Sequence, residues 1–472
     1  MKAKLLEKEL LQHRRNRRFG ILGVLAIALV AVAAVDGWNR AQEAARHREA
    51  AVAADREVWV EQGENNPHGA AHFARYAFRP TPALGAFDSG ISDYAGSAVW
   101  LEAHYQNPAT LRRAEDVGAR APFTTLDPAW AVRVLGSLAL AVLLFASIAG
   151  EREAGTLRSL LTQGVRPGTL VAVKAVAALL VVLALVGVAF AVALLPGVVA
   201  GAPLDLPRVL LLGASYTLGL AAFAFSCIAL SATATSRGAA LTTVGSFWVV
   251  VTLVLPMFAG QLSGSLSDTP DGSALNRAIF DEAQAPFWAG EAGPPAIRAF
   301  EEEIADRYGA ASFEELGFDR AGMELQAHEE FANAVYDRLF GELYAAQRGQ
   351  ASVLRAAAWF SPLLALQRVS SGLSGTDLSA QLAFAAEAES HRRKMVELLN
   401  RDMMEQGGGA GFTYMADRSL WERTPDFAGV LPRTPTVVGT YWPEFAVLLA
   451  WAIGALLLAS GLTARASRIE VA

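Results

Sequence analysis

The sequence predicts an all-α polytopic membrane protein, with about six transmembrane helices and two mainly helical extracytoplasmic insertions. Three observations predict it. Of 472 residues, 53% are hydrophobic and 18% charged, with a mean hydropathy of +0.30, which is too apolar for an ordinary soluble chain and too polar to lie wholly in lipid. About six runs reach the roughly 20 apolar residues that a helix needs to cross a hydrocarbon core of about 30 Å. Lysine and arginine gather where alternate runs meet, as the positive-inside rule requires of a multi-pass chain.

The elements follow in order. Residues 1–18 read as a basic amphipathic helix, with Leu5, Leu6, Leu10 and Leu11 on one side and Lys and Arg on the other, suited to the headgroup layer. Residues 19–37 form the first span. No small-x-small cleavage site follows Val35, so the run is expected to stay rather than leave as a signal peptide. Residues 38–128 form the first insertion. Its Ala-, Glu- and Arg-rich stretch 40–62 continues the span as a stalk, and the Pro-, Gly- and aromatic-rich stretch 65–108 reads as compact loop. The second span is 129–149, followed by a short cytoplasmic segment, 150–168. Spans 169–195, 208–232 and 239–259 come next. The second insertion, 261–443, holds helix candidates over 296–308, 320–360 and 376–404, separated by Gly309, Ser361-Pro362 and the stretch 372–375. Residues 444–464 form the last span and 465–472 a short tail.

Lys2, Lys4, Lys8, Arg14, Arg15, Arg17 and Arg18 at the first end, Arg152, Arg158 and Arg166 in the short segment, Arg237, and Arg465 with Arg468 all fall on one side if the runs alternate. That side is read as the cytoplasm, which places both termini there and both insertions outside.

Several chemistries are excluded or weakened. The only lysines are Lys2, Lys4, Lys8, Lys174 and Lys394, and none follows the glycine-rich loop of a phosphate cradle, so ATP chemistry must come from another chain. Neither H-E-x-x-H nor G-x-S-x-G occurs. Net charge −6 and pI near 5.8, with no basic stripe beyond the first turns, argue against nucleic acid. Arg133, Lys174, Arg208 and Glu444 fall near span ends, which weakens a gradient-driven carrier. Span hydroxyls such as Ser215, Thr217 and Ser226, with Gly213, Gly219 and Gly245, read first as helix-packing positions. Cys227 is the single cysteine and forms no internal disulfide.

The short segment carries the functional reading. Glu151 and Glu153 suit a helix N-terminus, Gly155 allows a tight bend, and Leu157, Leu160 and Leu161 give an apolar edge able to enter a groove. Glu151-x-Glu153-x-Gly155-Thr156-Leu157, with Leu160-Leu161 and then Arg166 and Lys174, resembles the connection between the second and third spans of ABC-2-type permeases. A second set of words covers more of the chain: Asn66-Pro67-His68-x-Ala70-Ala71-His72, Tyr76-Ala77-Phe78-Arg79-Pro80, Leu101-Glu102-Ala103-His104, Ser361-Pro362-Leu363, Gly375-Thr376-Asp377-Leu378 and Leu399-Asn400. It resembles the ABC-2 subgroup whose large outer insertions are classed only as a domain of unknown function.

The resemblance implies a permease subunit of an exporter in a bacterial inner membrane. Residues Glu151, Arg152, Glu153, Gly155, Thr156, Leu157, Leu160 and Leu161 would then dock on a separate ATPase that carries the ATP and Mg²⁺. It implies a second, identical or related permease as partner. A periplasmic partner is a further candidate, and no cofactor is expected on this chain. The alternative is a membrane-anchored outer scaffold or sensor without transport of its own.

His68 and His72 stand four residues apart and His104 follows on the same outer segment, a pattern open to transition-metal binding. Pro67 and Gly69 count against a regular helix there, and no cysteine or carboxylate completes a ligand set. The expectation is therefore structural hydrogen bonding with no bound metal.

Overall fold

A computed structural model of the chain describes residues 2–73, 75–117 and 126–471. Six of its helices are long and apolar enough to cross a membrane: span 1 (Arg17–Val60), span 2 (Pro128–Glu153), span 3 (Pro167–Val199), span 4 (Leu206–Thr233), span 5 (Arg237–Leu266) and span 6 (Thr434–Arg468). Their starts are set by local chemistry. Asn16, Asp127, Asp205 and Ser236 each accept a backbone N–H of the first turn, and Pro128 and Pro167 occupy first helical positions, where a missing N–H costs nothing. Spans 2 and 4 lie inside the bundle, whereas span 5 turns most of its apolar surface outward.

Small residues let the helices approach. A Cβ on Gly197 of span 3 would fall 2.1 Å from the Trp38 ring of span 1, whose indole N–H donates to the Ala193 carbonyl at 2.9 Å. A Cβ on Gly219 of span 4 would meet Leu366 at 3.0 Å, while Gly245 faces open space. Of the glycines expected to permit close packing, Gly219 does so most directly.

Span 1 continues beyond the bundle as one helix to Val60, so the stalk and the first crossing are continuous. The stretch expected to be loop contains structure: a helix, Pro67–Phe73, and a three-stranded antiparallel sheet of β1 (Arg75–Phe78), β2 (Ala98–Glu102) and β3 (Tyr105–Gln106), pairing Arg75 with Leu101 and Leu101 with Gln106. Strands this short leave too little alternation to stand out among prolines and glycines.

The two insertions form one body, here called the distal domain because it sits at the end of span 2 opposite residue 153. Trp59, Ala71 and Leu101 of the first share a core with Phe384, Met395 and Trp421 of the second. Buried Arg75 reinforces the join through Asp55 and Asp426 at 2.9 and 2.7 Å. Long helices Gly293–Tyr308, Arg320–Ala358 and Leu378–Gln406 build most of the second insertion.

One part of the expected second insertion is not peripheral. Helix Pro362–Ser374 belongs to the core of the bundle, with Leu366 against span 4 and the Ser370 hydroxyl 3.0 Å from that of Tyr216. With 13 residues it spans only about 20 Å, too short to cross. Ser361, at its start, donates to the Val251 carbonyl in the middle of span 5. The helix therefore enters the bundle and returns. Sequence periodicity could not show this, because an apolar 13-residue helix packs equally well in a soluble core.

Candidate functional site

Span 2 ends in the turn Ala149–Glu153. Gly155 then adopts φ +70°, a left-handed conformation that costs an L-residue with a Cβ but not glycine, and helix Thr156–Thr162 starts in a new direction. Gly164, at φ +85°, and Pro167 complete the return into span 3. The expected bend is therefore built by glycine.

Glu151 does not sit at an exposed helix start. It is 7% exposed, accepts from the Lys8 ammonium at 2.6 Å and from the Thr156 hydroxyl, and lies 3.5 Å from the Lys174 ammonium. Lys174 in turn donates to Glu9 at 2.8 Å. Two cations and two carboxylates thus knot three parts of the chain: the N-terminal helix Lys2–Arg15, the bent segment and span 3. The balance of charge is what makes such burial tolerable. The N-terminal helix accordingly packs on the bundle, with Leu5 against the core and Glu9 buried, rather than presenting only an amphipathic face to a headgroup layer.

The other expected residues divide between bracing and display. Arg152 donates to the Ala234 carbonyl at 2.6 Å, and Glu153 accepts the Arg237 N–H at 2.6 Å, so both hold the loop between spans 4 and 5 beside the bend. Leu157 is fully buried, and Leu160 and Leu161 are partly buried against the same core, so the apolar edge turns inward. The face left exposed comprises Glu153, Ala154, Gly155, Thr156, Arg158 and Ser159. Sequence reasoning found the segment but missed Lys8 and Glu9 as its partners. The signal available was the lone Lys174 inside an apolar run, which demanded a carboxylate somewhere.

At the opposite end of span 2, a cavity of about 910 Å³ opens between the spans and the distal domain, lined among others by Asp88, Asp127, Arg133, Arg355, Arg368 and Tyr441. Glu444 of span 6, 1% exposed, accepts from Arg355 at 3.1 Å and Arg368 at 2.9 Å, so of the span-end charges Arg133 and Glu444 line or support this cavity wall, whereas Lys174 lies in the knot at the other end. Burial, with Asp127 adding to it, pushes the Asp88 carboxyl up to about 7.

The histidines meet in the distal domain. Pro67 sits at the first position of its helix and the Asn66 side chain accepts the His68 and Gly69 N–H groups, so a regular turn forms where none was expected. His68 and His72 place their Nε2 atoms 3.1 Å apart, and one ligand atom from each of His68, His72 and His104 falls within 4.8 Å of the others. His328 adds its Nδ1 at 2.8 Å from Nδ1 of His104. The carboxylate missing from the sequence pattern is Glu329, 3.0 Å from His104 Nδ1 and held on its other oxygen by Arg392 at 2.9 Å. Burial alone would raise the Glu329 carboxyl, but Arg392 and His104 hold it well below the usual range. Burial, with the neighbouring imidazoles, pushes His68 and His328 down to about 4, so both rings are neutral near pH 7.

Six long apolar helices, with a polar bend and knotted N-terminal helix at one end and a folded domain at the other, define a multi-pass membrane protein. The family model described as ABC-2 family transporter protein matches residues 3–462, and the chain belongs to that family. It is thus a membrane component of an ABC transporter, a transport subunit rather than the ATPase. A comparison with curated proteins gives no match.

Proposed function

We propose that this chain is the permease subunit of an ABC exporter in a bacterial inner membrane. In this reading it converts ATP hydrolysis on a separate ATPase subunit, which carries ATP and Mg²⁺, into substrate movement. Both termini and the bent segment face the cytoplasm, the distal domain lies outside, and a second permease, identical or related, completes the pair. The outward apolar surface of span 5, including Met257 and Phe258, is available to lipid or to that second permease. In the same reading the distal domain offers its outer surface to a periplasmic partner.

The observation that carries the reading is the construction of the segment 151–161. Its exposed face, centred on Arg158, is braced from behind by buried Glu9, Glu151 and Lys174, with part-exposed Lys8 completing the knot. A surface that must push or be pushed needs such backing, because a solvated flexible loop would absorb the motion. Docking through Arg158 is tested by Arg158→Glu, which leaves every internal contact of the knot intact. Co-reconstituted with its ATPase, the variant is expected to lose roughly tenfold in subunit affinity, about 1.4 kcal/mol, with a matching loss of permease-stimulated ATP turnover and an unchanged melting temperature. Wild-type affinity and turnover would remove the assignment.

A further inference from the structure

We propose that the distal domain holds a divalent transition-metal ion, of the Zn²⁺ or Cu²⁺ class, between His68, His72 and His104. Four of the chain's seven histidines, counting His328, converge on one spot although they come from three separate segments. Imidazole nitrogens on a tetrahedral ion at about 2.0–2.1 Å lie roughly 3.3 Å apart, and the His68 and His72 Nε2 atoms already stand 3.1 Å apart on one helical face. The two residues are four apart, the spacing that places both rings over the same turn.

His104 is built as a third ligand. Its Nδ1 faces the Glu329 carboxylate at 3.0 Å, the arrangement in which a carboxylate fixes the ring and directs the other nitrogen to a metal. Its backbone takes a left-handed conformation, φ +63°, in the two-residue turn between β2 and β3. That conformation persists because the surroundings over-determine it. The His104 N–H donates to Glu329 at 2.6 Å, and its carbonyl accepts from Gln284 at 2.5 Å and from the Tyr336 hydroxyl. These contacts fix the backbone that carries the His104 ring. Phe412 against His68 and Trp288 against His104 wall the cluster on its apolar sides, while exposed His72 leaves it open to solvent. Three imidazoles with one open side favour a borderline-soft divalent ion over Mg²⁺ or Ca²⁺, which take oxygen ligands. The ion would fasten the His68 helix to the β2–β3 turn, and through Glu329 to the second insertion.

The test uses the full chain, free of any polyhistidine tag, purified in detergent, stripped with chelator and titrated with Zn²⁺ alone by calorimetry. Wild type is expected to bind one equivalent and to melt at a higher temperature with the ion. His72→Ala, at an exposed position whose loss leaves the fold intact, is expected to bind at least about tenfold more weakly. Exposed His47→Ala, on the stalk, should bind as wild type does. Absence of stoichiometric binding in wild type, or equal affinity in wild type and His72→Ala, overturns the proposal. The transport reading is untouched by either result.

Discussion

Removing Lys174 separates a mechanical knot from a decorative ion pair. The Lys174 side chain is 3% exposed, and those of Glu9 and Glu151 are 6% and 8% exposed, so water screens none of them well. Lys174→Met keeps the length of the side chain and deletes the charge, leaving two buried carboxylates facing only Lys8, which is 36% exposed. Breaking a buried pair from one side costs about 3–5 kcal/mol, because the orphaned charge stays desolvated. Lys8→Ala should cost no more than about 1 kcal/mol, since water replaces that partner. Adding Glu9→Gln to Lys174→Met restores charge balance, with Lys8 opposite Glu151. The double variant should therefore regain at least about 1 kcal/mol relative to the sum of the singles.

The assay is denaturant unfolding in detergent, followed by helical circular dichroism at low and at 1 M salt. The Lys174→Met loss should persist at high salt and the Lys8→Ala loss should fade, because screening acts on exposed charges. Additive singles would refute the pairing. On the transport reading, Lys174→Met should also lower ATPase stimulation in the assembled transporter, and a loss of stability without a loss of stimulation would refute the bracing role.

Other outcomes follow from the same contacts. Gly197→Ala places a Cβ on the Trp38 ring and should destabilise by about 1–3 kcal/mol, with partial recovery in Gly197→Ala/Trp38→Leu, read as melting temperature in detergent. Asp88 has a folded-state pKa raised to about 7 from 3.8, so its contribution is fully present below about pH 4 and is lost as pH rises through 7. Asp88→Asn keeps the oxygen that accepts the Gly90 N–H and should flatten that part of the stability profile between pH 4 and 7; a wild-type profile in the variant would refute the assignment. Glu444→Gln weakens the pairing of Arg355 and Arg368 at the cavity wall and should destabilise by about 1–3 kcal/mol in the same unfolding assay.

What the sequence could reveal depended on the reach of each signal. An apolar run of about 20 residues is complete within itself, so all six long helices were legible. The bent segment was legible because its glycine, charges and leucines are contiguous. Its inward face was not, because Leu157 can be told from a docking leucine only by what lies behind it, and Lys8 is 143 residues away from Glu151. The histidines show the same limit. Pro67 looked like a helix breaker until Asn66 was seen to cap the turn, and His104 lacked a carboxylate until Glu329, 225 residues later, folded against it. Local chemistry was read in place, and partners across the fold were not.

The two ends of span 2 connect these features. Trp130 and Arg133, in its first turns, line the distal cavity, while Glu151, near its end, sits in the knot. Its 26 residues span about 39 Å and join the two sites, but not as one rod: between Ser137–Leu144 and Ala149–Glu153 the helix gives way to a turn at 145–148, and the Ile148 and Ala149 N–H groups donate to the Ser231 hydroxyl of span 4. The π-helical turn Val132–Gly136 inserts a wider coil directly beside the cavity, and span 5 carries another at Val250–Val254, where Ser361 donates to the Val251 carbonyl. Such turns interrupt the regular ladder and are the weakest places in a long helix. On the transport reading, displacement at the bent segment would meet two breaks in turn, the turn at 145–148 held by Ser231 and then the π turn beside Arg133. Only the second of these breaks lies beside the cavity, where a bound cargo would feel the change in helix direction.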